Sequence, residues 1–109
     1  MALALFDLDN TLIGGDSDHS WGEFLVDQGL VDSERYRAMN DQFYQDYLAG
    51  SLDIHAYLEL ALEPLSQHPM QTLQNLHRQF MREVIEPLIL PKALSLIERH
   101  RSAGDRLLI

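Results

Sequence analysis

The chain has 109 residues, 17 acidic and 8 basic side chains, a formal charge of −9 and a pI near 4.7. Hydrophobic residues make up 46%, enough for a core, and the absence of cysteine excludes a disulfide scaffold, a thiolate metal site and a cysteine nucleophile. The acidic balance argues against nucleic acid or an anionic membrane as partner, no apolar run reaches the ~20 residues of a membrane span, and the N-terminus lacks the basic region of a signal peptide. A cytoplasmic setting fits this composition.

Leu3 to Leu8 is a short apolar run that meets acid at Asp7 and reads as a buried strand. Asp9, Asn10, Gly14, Gly15 and Asp16 then mark a tight loop. From about Ser20 to Ala103 the sequence reads as helix. Ser20 and Glu23 have the spacing of a capping box, with Trp21, Phe24, Leu25 and Gln28 on one face and Gly29 as the stop. Asp32 or Ser33 opens a second helix, with Tyr36, Met39, Phe43 and Tyr47 on one side and Gly50 at its end. Asp53 caps a third, whose stripe is Ile54, Tyr57, Leu58, Ala61, Leu62 and Leu65. Pro69 suits the first turn of a fourth. Its inward side is Met70, Leu73, His77, Phe80, Met81, Val84 and Leu88, and Pro87 ends or kinks it. Pro91 opens a fifth, with Leu94 and Ile97 inward, cations in its last turn and Gly104 beyond it. Asp105 to Ile109 reads as the opening of a second buried strand. Two strands do not make a stable sheet by themselves, so the expectation is the N-terminal part of a larger α/β protein.

The chemistry sits in Phe6-Asp7-Leu8-Asp9-Asn10-Thr11-Leu12. Residues two apart on a strand point the same way, so Asp7 and Asp9, at or just past the strand end, could both face one pocket. Ligands of open α/β sheets bind at the carboxyl ends of strands. Two carboxylates there could hold a hard cation, one could attack an electrophile, and the other could move a proton. A calcium loop of EF-hand type fits poorly, because Leu12 stands where glycine is needed and Asp18 where glutamate is. A solvated acidic turn is the plainest rival.

This segment resembles motif I of the haloacid dehalogenase-like superfamily: hydrophobic residues, then D-x-D-x-T. With Gly15-Asp16-Ser17-Asp18-His19-Ser20-Trp21 following, it is closest to subfamily IB, which contains phosphoserine phosphatase-like and histidinol-phosphatase-like hydrolases. The resemblance implies an α/β fold, mostly helical in this chain. The first strands of a Rossmann-like core would lie at residues 1–14 and 88–109, with an inserted helical cap at 15–87. It implies a phosphatase acting on a small phosphorylated metabolite through an aspartyl-phosphate on Asp7. Asp9 would serve as acid and then base, and Mg²⁺ would be held by the Asp7 carboxylate and the Asp9 backbone carbonyl. The family's later motifs, a Ser or Thr, a Lys and an acidic pair, have no place in the chain, and Lys92 lies upstream of where the family's lysine belongs. The chain by itself is therefore expected to be inactive.

Asp16, Asp18, His19 and Trp21 are candidates to recognise substrate. For the first three the alternative is a solvated acidic loop, and for Trp21 it is core packing. Asp16 stands where phosphoserine phosphatases carry a glutamate, which puts phosphoserine itself in doubt. The five histidines show no metal-ligand spacing, and the serines lack a nucleophile elbow. Two further functions stay open: a phosphomutase or phosphotransferase using the same Asp7, and a non-enzymatic helical interaction module or truncated remnant.

Overall fold

A computed structural model describes residues 1–109. The chain divides into two units, one of residues 1–20 with 78–109 and one of residues 21–77.

In the first unit, β1 (Leu3–Leu5) pairs in parallel with β2 (Arg106–Leu108), Leu3 opposite Arg106 and Leu5 opposite Leu108. Bonds from Arg106 N–H to Ala2 O (2.7 Å) and from Phe6 N–H to Leu108 O (2.8 Å) extend the ladder. The strands are shorter than the apolar run suggested, and they are not buried: Leu3, Leu5 and Leu108 are 58%, 69% and 55% exposed. Alternation explains this. Ala4, Phe6 and Leu107 share one face, on which the Phe6 ring meets His100 edge-on at 5.9 Å, while the leucines occupy the other, uncovered face.

β2 is reached from α6 (Pro91–Ser102), which has Pro at its first position and Gly104 beyond its end at a φ of 78°. Asp105 fastens this corner. It accepts from Ala2 N–H (2.9 Å) and pairs with His100 Nδ1 (2.8 Å). The His100 contact first, then the Ala2 amide, hold its carboxyl below the usual range against the opposing effect of desolvation. Only Ala93 of α6 is buried; Leu94, expected inward, is exposed because the helix packs through Ala93 and His100 instead. Before α6, a wide turn at Met81–Ile85, closed by Glu86 N–H to Met81 O, leads into α5 (Glu86–Leu88). Pro87 lies just past this widened turn. The chain becomes extended at Ile89, two residues beyond it, as a proline without an N–H favours. Ile13 and Ile89 then form an antiparallel bridge, with Gly14 N–H on Leu88 O and Leu90 N–H on Leu12 O. Leu12, Ile13, Phe80, Ile85 and Ala93 are its buried side chains.

The second unit is helical. α1 (Ser17–Asp27) enters it, and Gly29 ends that helix at a φ of 71°, with Leu30 N–H bonded to Leu25 O. α2 (Ser33–Leu48) is capped by Asp32, which accepts from Arg35 N–H. α3 (Ile54–Ser66) is capped by Asp53, which accepts from the amides of His55 and Ala56. Such caps contribute about 1 kcal/mol each. α4 (Met70–Phe80) follows. Phe24, Leu25 and Leu60 are buried, and Phe43 meets Tyr57 edge-on at 5.6 Å. Several expected inward residues turn outward: Tyr47, Ile54, Leu58, Leu62, Met70 and His77 are exposed. On α3 the buried positions are Leu60 and Pro64, so its packed face is rotated away from the most hydrophobic stripe.

Candidate active site

The D-x-D-x-T segment leaves β1 at its carboxyl end. Asp7 is still extended (φ −83°, ψ 142°). Leu8–Leu12 then forms one wide turn closed by Ile13 N–H to Leu8 O (3.2 Å), in which Asp9 is extended and Asn10 is left-handed at a φ of 54°. Asparagine tolerates that conformation better than most residues, which explains its place here. A second bond, Asn10 N–H to Gly15 O (2.9 Å), folds residues 10–15 back on themselves and delivers Asp16 and Ser17 beside the turn.

The two carboxylates have separate holders. Asp7 is exposed, and its Oδ2 accepts from the Thr11 hydroxyl at 2.8 Å. Asp9 is half-buried, and its Oδ1 accepts from the Ser17 backbone N–H at 2.9 Å. That amide first, then the Ser17 hydroxyl, hold the Asp9 carboxyl below the ordinary range, against desolvation. In this arrangement Asp9 is an ionised carboxylate, the state of a base; proton donation requires a shift in the opposite direction.

Beside Asp7 lies an open cavity of about 480 Å³, lined among others by Leu5, Phe6, Asp7, Thr11, Lys92 and His100; Asp9 does not line it. Asp7 and Asp9 therefore engage different surroundings and do not share this cavity. Oxygen donors from Asp7 and from the backbone at Asp9 suit a hard cation by type, but no three His, Cys, Asp or Glu groups come together that could hold a metal ion. The fit is in donor chemistry and not in a complete ligand set.

Of the substrate-recognition candidates, Asp16 begins α1. Its Oδ1 accepts from His19 N–H (2.9 Å), and its backbone O accepts from Ser20 N–H (3.0 Å). Asp16, not Ser20, is thus the cap, and Ser20 lies inside the helix, because the loop closed by Asn10 and Gly15 starts the helix four residues earlier than the capping-box spacing suggested. Asp18 and His19 are exposed in the first turn. Trp21 belongs to the second unit and stacks on Phe24 at 5.5 Å. In the sequence Thr11 stands only as the threonine of the D-x-D-x-T motif and Lys92 only as a lysine upstream of the family's position. Neither they nor Ser17 has a role assigned there, and the one further signal is Thr11 standing four residues after Asp7, the spacing of one turn.

Comparison with known proteins identifies the family and the fold. The family model described as haloacid dehalogenase-like hydrolase matches residues 4–109. A histidinol-phosphatase of Neisseria meningitidis serogroup C (strain 8013) is 48% identical over 107 residues, covering 98% of this chain and 48% of that protein. An inhibition of morphological differentiation protein of Streptomyces azureus is 29% identical, covering 97% of this chain and 39% of that protein. The crystal structure of a protein of unknown function from Bordetella pertussis Tohama I superposes with a TM-score of 0.86 at 37% identity, covering 97% of this chain and 48% of that one. The chain thus spans about half the length, or less, of the relatives it matches.

Proposed function

The chain belongs to the haloacid dehalogenase-like hydrolase family, and from that premise we propose that it carries the nucleophile and the acid/base of a magnesium-dependent phosphatase. Histidinol phosphate is the first substrate to test. The observation that carries the reading is the turn at the end of β1, which presents Asp7 exposed and oriented by Thr11, with Asp9 held separately by Ser17. The choice of ester follows the histidinol-phosphatase relative.

In this reading an Asp7 oxygen forms a bond to phosphorus as the ester P–O bond breaks. A proton on Asp9 passes to the leaving alkoxide. Asp9 then takes a proton from water, which attacks the aspartyl-phosphate and releases inorganic phosphate and Asp7. The lowered Asp9 pKa suits the second half. Arrival of an anionic phosphate beside Asp9 pushes that pKa up, as the first half requires. Magnesium would be held by the Asp7 carboxylate and the Asp9 backbone carbonyl and would supply charge neutralisation for the phosphate oxygens. Further ligands would come from water, substrate or other parts of a complete enzyme. Residues 15–87 are read as a cap limiting access to small substrates. Asp16, Asp18, His19 and Trp21 are candidates there, and the carboxylates suit an ester bearing an amine. A soluble metabolite as substrate goes with a cytoplasmic enzyme.

The test is phosphate release from histidinol phosphate with and without Mg²⁺ by the protein in its native length. Asp7→Asn should reduce turnover to background, and Asp9→Asn should slow it by ~10²–10⁴-fold. Wild-type turnover by Asp7→Asn would end this reading. Phosphate appearing on an added acceptor alcohol in place of free phosphate would redirect it to phosphotransfer.

A further inference from the structure

We infer that Ser17 is a positioning residue for the reaction: its backbone N–H fixes the Asp9 carboxyl by Oδ1, so that Oδ2 is the oxygen that exchanges a proton with the ester. This inference rests on the phosphatase reading above.

Three observations lead to it. First, Asp16 is the cap of α1, so Ser17 is the first residue inside the helix. The N–H at that position has no partner within its own helix and must find one elsewhere. It finds Asp9 Oδ1 at 2.9 Å. Second, the anchoring comes from this one residue, its hydroxyl adding to the larger effect of its N–H. Asp9 sits in extended backbone followed by a left-handed Asn10, and the Asn10–Gly15 bond brings Ser17 back across the turn. The anchor is thus built by eight residues of chain that return to the carboxyl they left. Third, Asp7 has a different donor, the Thr11 hydroxyl, so the two carboxyls are set independently.

The chemistry of a carboxyl then selects the atom. A carboxylic acid has one carbonyl oxygen and one hydroxyl. An N–H donor pairs with the carbonyl oxygen and leaves the hydroxyl oxygen free to donate. After the proton has gone, the same N–H still donates to the same oxygen. A single backbone donor therefore serves both the acid and the base form without moving. A backbone N–H also has no rotamer of its own, so it defines the direction of Oδ2 more tightly than a flexible side chain could. Misplacement of a reacting group by about 1 Å can cost on the order of 10²-fold in rate.

The geometry supplies its own probe. Proline is favoured at the first position of a helix, and the residue before it must be extended, as a cap residue commonly is. Ser17→Pro therefore deletes the N–H, together with the Ser17 hydroxyl, while keeping the helix start. Ser17→Ala, which loses the hydroxyl alone and is expected to leave both esters nearly unaffected, separates the two donors. The native-length protein would be assayed with two esters. Histidinol phosphate has an alkoxide leaving group that needs a proton; 4-nitrophenyl phosphate has a phenolate that does not. Ser17→Pro is expected to lower kcat/KM for the alkyl ester by about 10- to 100-fold, with a loss for the aryl ester less than a tenth of that. Equal losses on both esters, or none on either, overturn the inference.

A second readout does not depend on the variant folding. The Ser17 amide proton resonance should move upfield in Asp9→Ala and keep its wild-type position when vanadate, a phosphate mimic, is bound. A resonance indifferent to Asp9→Ala, or one that loses its shift with vanadate, also overturns it. If the wild-type protein hydrolyses neither ester, the phosphatase reading fails and takes this inference with it. Wild-type turnover with an unselective Ser17→Pro removes the positioning role alone.

Discussion

Thr11 touches Asp7 through one hydroxyl, and its loss should differ in kind from loss of the aspartate. Thr11→Val keeps the branched shape and removes the bond to Asp7 Oδ2. A net hydrogen bond of this sort is worth about 0.5–1.5 kcal/mol, so kcat should fall by about tenfold at most, with KM little changed. A fall to the level of Asp7→Asn would show that Thr11 does more than orient. Asp105 makes a prediction of a different sort, about stability. Its folded pKa lies below the ordinary Asp value of about 3.9, so its contribution is fully present above that value and is lost as pH falls through the lowered one. Asp105→Asn should therefore lower the melting temperature at pH 6 and leave it nearly unchanged at pH 2. Equal losses at both pH values would show that the carboxylate charge is not what fastens the β2 corner. At this scale the sequence was most legible where a residue type is demanded locally, as at Asp32, Asp53, Gly29, Gly50 and Gly104, all found at helix ends. It was least legible where a side chain answers a backbone group across a turn. Nothing in the spacing of Asp9 and Ser17 announces their bond, which exists because Asn10 and Gly15 close the loop between them.

Helix positions were legible in the sequence, and helix faces much less so. Caps, proline and glycine placed the ends of α2 and α6 and the start of α3 almost to the residue, yet hydrophobic periodicity pointed Ile54, Leu58 and Leu62 inward where Leu60 and Pro64 are the buried positions. Periodicity reports which stripe is most apolar, whereas packing is decided by which stripe meets a neighbour. Small residues often mark such meetings, and Gly22 of α1 is one. It is buried, and a Cβ there would meet the Tyr36 hydroxyl and come within 3.1 Å of Cε1 and Cζ of the same ring. Replacing a helical glycine by alanine ordinarily adds about 1 kcal/mol of helix stability. Here the clash opposes that gain, since overpacking costs ~1–3 kcal/mol. Gly22→Ala should lower the melting temperature. Adding Tyr36→Phe, which removes the nearest atom, should restore part of the loss beyond what the two single variants predict. Additive losses in that double-mutant cycle would place the cost of the alanine somewhere other than the Tyr36 ring.

For the chain as a whole the sequence exposes a conflict between charge and surface. Leu3, Leu5 and Leu108 lie on one uncovered face of a two-stranded parallel sheet, with Ile109 exposed beside them. Parallel sheets are ordinarily covered on both faces, and an open apolar face with free strand edges is a site of association. The formal charge of −9 opposes association between copies. Its reach is limited, because at 0.15 M salt the screening length is about 8 Å, whereas apolar contact needs no range. Burial of leucine side chains, each worth about 1.5–3 kcal/mol when fully removed from water, should then decide the outcome. The 109-residue chain is expected to sediment above its monomer mass of 12.5 kDa in physiological salt, and to shift toward monomer as salt is lowered and repulsion grows. Leu5→Lys with Leu108→Lys places two cations opposite one another on the exposed face, away from Ala4 and Phe6, and should return the chain to monomer without loss of helix by circular dichroism. A wild-type chain that stays monomeric at all salt concentrations would show that this face is too small to drive association. A double variant that still associates would move the interface to the exposed stripe Ile54, Leu58 and Leu62 of the second unit.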